Sequence, residues 1–247
     1  MLAGSRGGTD PVAAAEGETE KALVKVGGTP MLARVIGALK DAGARRIAVS
    51  GAAPAVLALA AEHGAESLPP APGPSQSAAA GFDALGAPML LATADHALLD
   101  PAWIGSFIAG TPDDCDVAIL LAERTLVEAT VPDTRRTYLR FADGEWSGCN
   151  LFYFRTPEAA AAFALWQQVE RDRKRPWRIV ARIGPRLLLS YLLGRLTLDN
   201  ALASLGEKAG LRVAAVRAYD GRAAVDVDRP EDLATVRKLV TGAEGQA

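Results

Sequence analysis

The chain has 247 residues, 49% of them hydrophobic and 23% charged, and its 27 Lys or Arg against 29 Asp or Glu leave a net charge of −2. That length and apolar content suit a buried core of one large or two small domains, and the near-neutral balance excludes a bulk field able to hold a nucleic-acid backbone. Cys115 and Cys149 stand far apart without metal spacing and read as reduced thiols, and with no signal-peptide core and no long apolar run a cytoplasmic protein is expected.

The chain opens on "LAGSRGG". Glycines tolerate positive φ and close approach, so this loop suits a bulky anion, with Lys21 and Lys25 in "KALVKVGGTPML" as its counter-charges. The loop is neither a Walker A segment nor a dinucleotide fingerprint, because Gly-Lys-Ser/Thr and G-x-G-x-x-G are both missing. "PMLARVIGALKDAG" repeats apolar residues at helical spacing between Pro30 and Gly43 and predicts a helix. "RRIAVSG" reads as a strand, "PAVLALAAEHG" as a helix, and the segment from Ser75 to Leu85 as a further helix after the loop "LPPAPGPSQ". "PMLLATAD" reads as a buried strand ending at Asp95, "PAWIGSFIAG" as a helix and "DVAILLA" as another buried strand. This alternation predicts a three-layer α/β/α fold around a mostly parallel sheet.

From Thr137, "TYLRFADGEWSGCNLFYF" predicts two strands joined at Asp143-Gly144 that add antiparallel edge strands and make the sheet mixed. Residues 157–208 are helix-rich, with Thr197 as a candidate cap, and Trp166 and Trp177 are expected in the core. The last strands are "LRVAAVRAY" and "RAAVDVD", and a helix begins at Pro230. The whole chain reads as a single domain, with residues 155–208 a helical insertion on the acceptor side.

Carboxylates at strand ends can hold Mg²⁺, so Asp95 is one candidate ligand. In "VDVD" the alternation puts Asp226 and Asp228 on one face of a strand, where a cation would relieve their repulsion. Two capping alternatives stay open, Asp95 on the turn that follows it and Asp228 on the final helix. His96 is expected to be a partly exposed neighbour of Asp95 rather than a base.

The order "LAG…G", then "K-x-L-x-x-x-G-G-x-P-M-L", then a strand ending in "AD", then "VDxPEDL" resembles the nucleotidyltransferase superfamily with the GT-A-like fold. Its members include the molybdenum cofactor guanylyltransferases and the methylerythritol phosphate and CMP-KDO cytidylyltransferases. The resemblance spans residues 1 to about 125 and 211 to 240. It implies transfer of a nucleoside monophosphate from a nucleoside triphosphate to a phosphorylated acceptor, with Mg²⁺, or Mn²⁺ in its place, held by Asp95, Asp228 and Asp226. Catalysis is then assigned to Lys21, Asp95 and Asp228. Nucleotide binding falls to Leu2, Ala3, Gly4, Ser5, Arg6, Gly7 and Gly8, with Lys21, Pro74, Ser75, Ser77 and Ala94. "SQSAAAGFDAL" and "VDRPEDL" are similar to the cytidylyltransferase segments and favour CTP.

Two departures stand out. Ser5 replaces a loop glycine, and Thr9 or Asp10 sits where the family has Arg, leaving Arg6 as the substitute. The acceptor is expected on the basic wall of Arg135, Arg136, Arg140, Lys174, Arg175 and Arg178, with Asn150 similar to an acceptor-binding Asn of sugar nucleotidyltransferases. Arg forks suit phosphate and carboxylate, which points to a small acidic acceptor such as a phosphoglycerate. The rival readings are a GTP-dependent guanylyltransferase of the molybdopterin type, a GT-A glycosyltransferase disfavoured by the lack of Asp-x-Asp at the first metal strand, and a membrane-surface module. Nucleic-acid and membrane partners are not expected, and a homodimer stays open.

Overall fold

The computed structural model describes residues 1–4, 10–132, 134–172 and 184–244. Asp10 caps helix α1 (Pro11–Ala15), its Oδ1 accepting from the Val12 and Ala13 amides at 2.9 and 3.1 Å. A 3₁₀ turn over Lys21–Leu23 leads into the hairpin of β1 (Lys25–Val26) and β2 (Thr29–Pro30). Gly27 and Gly28 both sit at positive φ (57° and 76°), as this two-residue turn demands. Helix α2 (Met31–Asp41) buries Leu32, Val35, Ile36 and Leu39 on one face, matching the apolar spacing.

Then follow β3 (Ala48–Ser50), α3 (Pro54–Glu62), β4 (Glu66–Leu68), α4 (Pro74–Leu85), β5 (Met89–Leu91), α5 (Pro101–Ala109), β6 (Val117–Glu123) and α6 (Arg124–Thr130). Strands β3 and β4 pair in parallel, and a second ladder runs in the order β5, β8 (Gly144–Phe154), β6, β9 (Val213–Arg217). Leu2 joins the first two strands to the rest, bridging in parallel to Ser50 on one side and Thr93 on the other. β7 (Leu139–Phe141) and β8 (Gly144–Phe154) form the expected hairpin.

One expectation is corrected here. β8 is an interior strand, antiparallel to both β5 and β6, and only β7 is peripheral. An eleven-residue strand with apolar residues on both faces can be buried on both, and Cys149, Leu151 and Phe154 are.

The sheet separates two cores. Leu32 and Ile36 of α2 and Phe107 of α5 pack with Leu120 and Leu151 on one face, while Phe82 of α4 and Phe163 of α7 (Ala161–Asp172) pack with Leu91, Val117 and Phe154 on the other. The result is a three-layer α/β/α architecture around a mixed sheet in which β8 runs against β5, β6 and β7. Helices α8 (Pro185–Leu192), α9 (Leu198–Glu207) and α10 (Pro230–Glu244) complete the described chain. Thr197 caps α9, accepting from the Asn200 amide at 3.3 Å. Trp166 is half-buried and stacks on Phe152, whereas Trp177 lies outside the described residues.

Candidate active site

Gly4, Asp95 and the stretch 225–228 follow the carboxyl ends of parallel strands, the edge where open α/β sheets bind ligands. Lys21 comes from the turn ahead of β1, where buried Ala22 and Val24 anchor the backbone. Its ammonium lies 2.7 Å from Asp95 Oδ2 and 3.2 Å from Asp228 Oδ1. Two acids far apart in sequence therefore meet on one cation. Burial alone would raise Asp95, but Lys21 outweighs it and holds the carboxyl below its ordinary value. Burial opposes the Lys21 charge too, and the two carboxylates reverse that and raise its pKa.

Neither capping alternative is realised. The acid at the start of α10 that accepts backbone protons is Asp232, from the Arg229 amide at 2.9 Å and the Asp228 amide at 3.3 Å. The Asp228 side chain is left 61% exposed and turned to Lys21. The second Asp95 oxygen, Oδ1, is buried without a hydrogen-bond partner among the described residues.

The stretch read as a strand through "RAAVDVD" is instead a 3₁₀ turn over Gly221–Ala224 followed by backbone that joins no strand ladder. Its Val227 amide bonds the Asp95 carbonyl at 3.0 Å, which brings the two acid-bearing segments together without a ladder. Asp226 and Asp228 are consequently not equivalent. Asp226 is buried and grips the Arg136 guanidinium, and the Asn150 amide nitrogen donates to its other oxygen. Burial pushes the Asp226 carboxyl up even against Arg136. Asn150 reaches it from a bulge, because residues 149–151 of β8 face Leu120 alone and Asn150 takes φ 53°.

The donor set fits a divalent cation at Asp95 and Asp228, with one oxygen of Asp95 uncommitted. Asp226 is committed elsewhere. Among the described residues no three His, Cys, Asp or Glu side chains converge as ligands of one ion, so the expected three-carboxylate site is not assembled.

His96 corrects another expectation. It is 1% exposed, stacked on Trp103 at 6.2 Å, and burial drives its imidazole down to about 4. Burial likewise pushes the Cys149 thiol up to about 12, and both cysteines are free.

The remaining expected residues divide by place. Leu2 and Ala3 are paired into the sheet beside Ala94, whose amide bonds the Leu2 carbonyl at 2.9 Å, and Gly4 leads off the same edge. Ser5, Arg6, Gly7, Gly8, Lys174, Arg175 and Arg178 lie outside the described residues. Pro74 opens α4, Ser77 accepts from the Ala71 amide at 3.0 Å, and Ser75 donates its hydroxyl to Glu170 of α7. Sequence reasoning missed Glu170. Its carboxylate sits at the start of α4, 3.4 Å from the Ser75 amide, and nothing in "QQVERD" announces that contact. Of the basic wall, Arg135 is exposed, Arg136 is held by Asp226, and Arg140 pairs with Glu145 at 3.0 Å on the β7–β8 hairpin.

Residues 3–215 match the MobA-like NTP transferase domain. The chain belongs to this family. No curated protein matches the sequence of this MobA-like chain. Among solved structures, a hypothetical transferase from Thermus thermophilus is similar at 29% identity and TM-score 0.81, over 94% of this chain and 98% of that one. CMP:2-keto-3-deoxy-manno-octonic acid synthetase complexed with CTP shares the fold at TM-score 0.60 and 16% identity, over 98% of both chains. The 2-C-methyl-D-erythritol 4-phosphate cytidylyltransferase of Thermus thermophilus does so at TM-score 0.52 and 15% identity, over 90% of this chain and 94% of that one.

Proposed function

We propose that this MobA-like chain transfers a nucleoside monophosphate, preferentially from CTP, to a small phosphorylated acid of the phosphoglycerate type, releasing pyrophosphate. The observation that carries the reading is the convergence of Asp95 and Asp228 on Lys21 at the carboxyl edge of the sheet. An acceptor phosphate oxygen is already anionic, so its in-line attack on the α-phosphorus needs no general base, only positioning and charge neutralisation. That requirement agrees with a buried His96 whose imidazole has no aqueous access.

In this reading Lys21 holds the triphosphate together with the amides that follow Ala3. Asp95 and Asp228 keep Lys21 aligned and would hold Mg²⁺, which when bound neutralises the phosphate charge that builds up during displacement. Arg136, held by Asp226, whose other oxygen accepts from Asn150, is the guanidinium assigned to an anionic acceptor. The helical stretch 155–208 is assigned to acceptor choice, and the protein to the cytoplasm.

One second reading keeps the family's nucleotidyl transfer, with GTP as donor and a larger phosphorylated acceptor. A matrix of four nucleoside triphosphates against phosphorylated acids and sugars, read by pyrophosphate release and product mass, separates the two. CTP with a three-carbon phospho-acid should give the fastest turnover and a CDP-linked product. Turnover confined to GTP would transfer the assignment to the second reading, and no turnover with any donor would remove both.

A further inference from the structure

Lys21 is the cation of a site whose acids also fit a metal. Its ammonium takes one oxygen from each of two carboxylates, Asp95 Oδ2 at 2.7 Å and Asp228 Oδ1 at 3.2 Å. The Lys21 and Asp95 side chains are 20% and 18% exposed, so the closer contact is shielded from water and from salt, while Asp228 lies open at 61%. Asp226, the third acid of the neighbourhood, is already paired with Arg136. Among the described residues no third His, Cys, Asp or Glu side chain joins Asp95 and Asp228 as a ligand of one ion. The fit of the lysine is itself incomplete. Asp95 Oδ1 stays buried without a partner among the described residues, as suits a pair of acids shaped for a further occupant.

A divalent ion held by the same two oxygens would need the place the ammonium fills, and beside it would meet a like charge. Mg²⁺ gives up its water reluctantly and ordinarily settles on one or two carboxylates with substrate phosphates completing the set. An ammonium on the same chain is present at high effective concentration, so it competes well against a dilute ion for two carboxylates alone. We propose that Lys21 is a placeholder for the metal: in the nucleotide-free protein it keeps divalent ions off Asp95 and Asp228. On the nucleotidyl-transfer reading, on which this consequence rests, the triphosphate draws the ammonium onto its own oxygens, and metal and donor enter together. Lys21 thereby serves the site twice, first by closing the acid pair and then by holding the donor.

The test is titration of the full chain with Mn²⁺ in the absence of nucleotide, the free ion being read by electron paramagnetic resonance. Lys21→Met should half-saturate at a Mn²⁺ concentration about tenfold lower than the wild type requires, and adding Asp228→Asn to it should remove the gain. Equal binding by the wild type and Lys21→Met overturns the proposal. So does a gain that survives Asp228→Asn, because the metal would then sit elsewhere. A second measurement needs no lysine variant and decides the matter even where Lys21→Met does not fold. Asp228→Asn alone should leave the Mn²⁺ binding of the nucleotide-free chain unchanged, whereas a loss of binding there would show the metal already held beside Lys21 and overturn the proposal. Neither donor nor acceptor is present in these titrations, so their outcome is separate from that of the turnover matrix that tests the reaction.

Discussion

At the residue scale, the ion triad of Lys21, Asp95 and Asp228 concentrates the consequences. Loss of one charge contact that acts on the transition state typically costs about 3 kcal/mol, or roughly a hundredfold in rate. Asp95→Asn and Lys21→Ala should each lower kcat by at least that factor in the donor and acceptor assay, with the fold intact by circular dichroism; wild-type turnover in either would dismiss the site. Asp226 makes a different prediction, because Arg136 and Asn150 already occupy it. Asp226→Asn should leave the Mg²⁺ concentration for half-maximal rate unchanged, whereas Asp228→Asn should raise it by about tenfold or more. Equal shifts in both variants would return Asp226 to the ligand set.

His96 supplies a pH signature. Its folded pKa of about 4 lies below the ordinary 6.5, so the unfolded chain binds the proton first and stability falls as pH drops from 6.5 towards 4. The window corresponds to about 3 kcal/mol. Denaturant unfolding across that range should show the loss in the wild type and a flatter profile in His96→Gln. The Asp95 contribution has its own window: with its folded pKa held below 3.8, it is retained above that value and lost only at lower pH.

At the scale of elements, the strand-like text of "RAAVDVD" and the real turn at Gly221–Ala224 differ because of what surrounds Gly221. A Cβ there would sit 2.6 Å from the Leu126 carbonyl oxygen and 2.7 Å from the Val127 Cα, so only glycine lets the turn press against α6. Gly221→Ala should therefore destabilise the protein by about 1–3 kcal/mol, lowering the melting temperature by several degrees, and should disturb Asp226 and Asp228 downstream. An unchanged melting temperature and unchanged turnover would show that α6 yields easily. Caps and apolar spacing made most helices legible: Pro30 ahead of α2 and Thr197 ahead of α9 are local signals with local causes. Position within the sheet was not legible, since β8 reads alike as an edge or a centre until its partners are known. The triad could be anticipated from motif order. The Asp226 clamp could not, because it depends on a bulge that turns Asn150 to positive φ. Glu170 depends in the same way on how α7 lies against α4.

At the scale of the whole molecule, one residue of the sheet marks the limits of the helical stretch. Val117 pairs with Phe154 on one side and with Val213 on the other. The backbone thus departs after residue 154 and comes home by residue 213 at two points two strand spacings apart, roughly 10 Å. A detour with such closely set ends can be lengthened, rebuilt or traded between relatives while the strands beneath keep their registry. Its ties between those ends include the side-chain contacts of Phe163 with Phe82 and of Leu198 with Trp146, and a backbone bond from the Ala142 amide to the Leu196 carbonyl at 2.8 Å. On the proposed reading, acceptor choice can be altered within residues 155–212 while Lys21, Asp95 and Asp228 lie outside them.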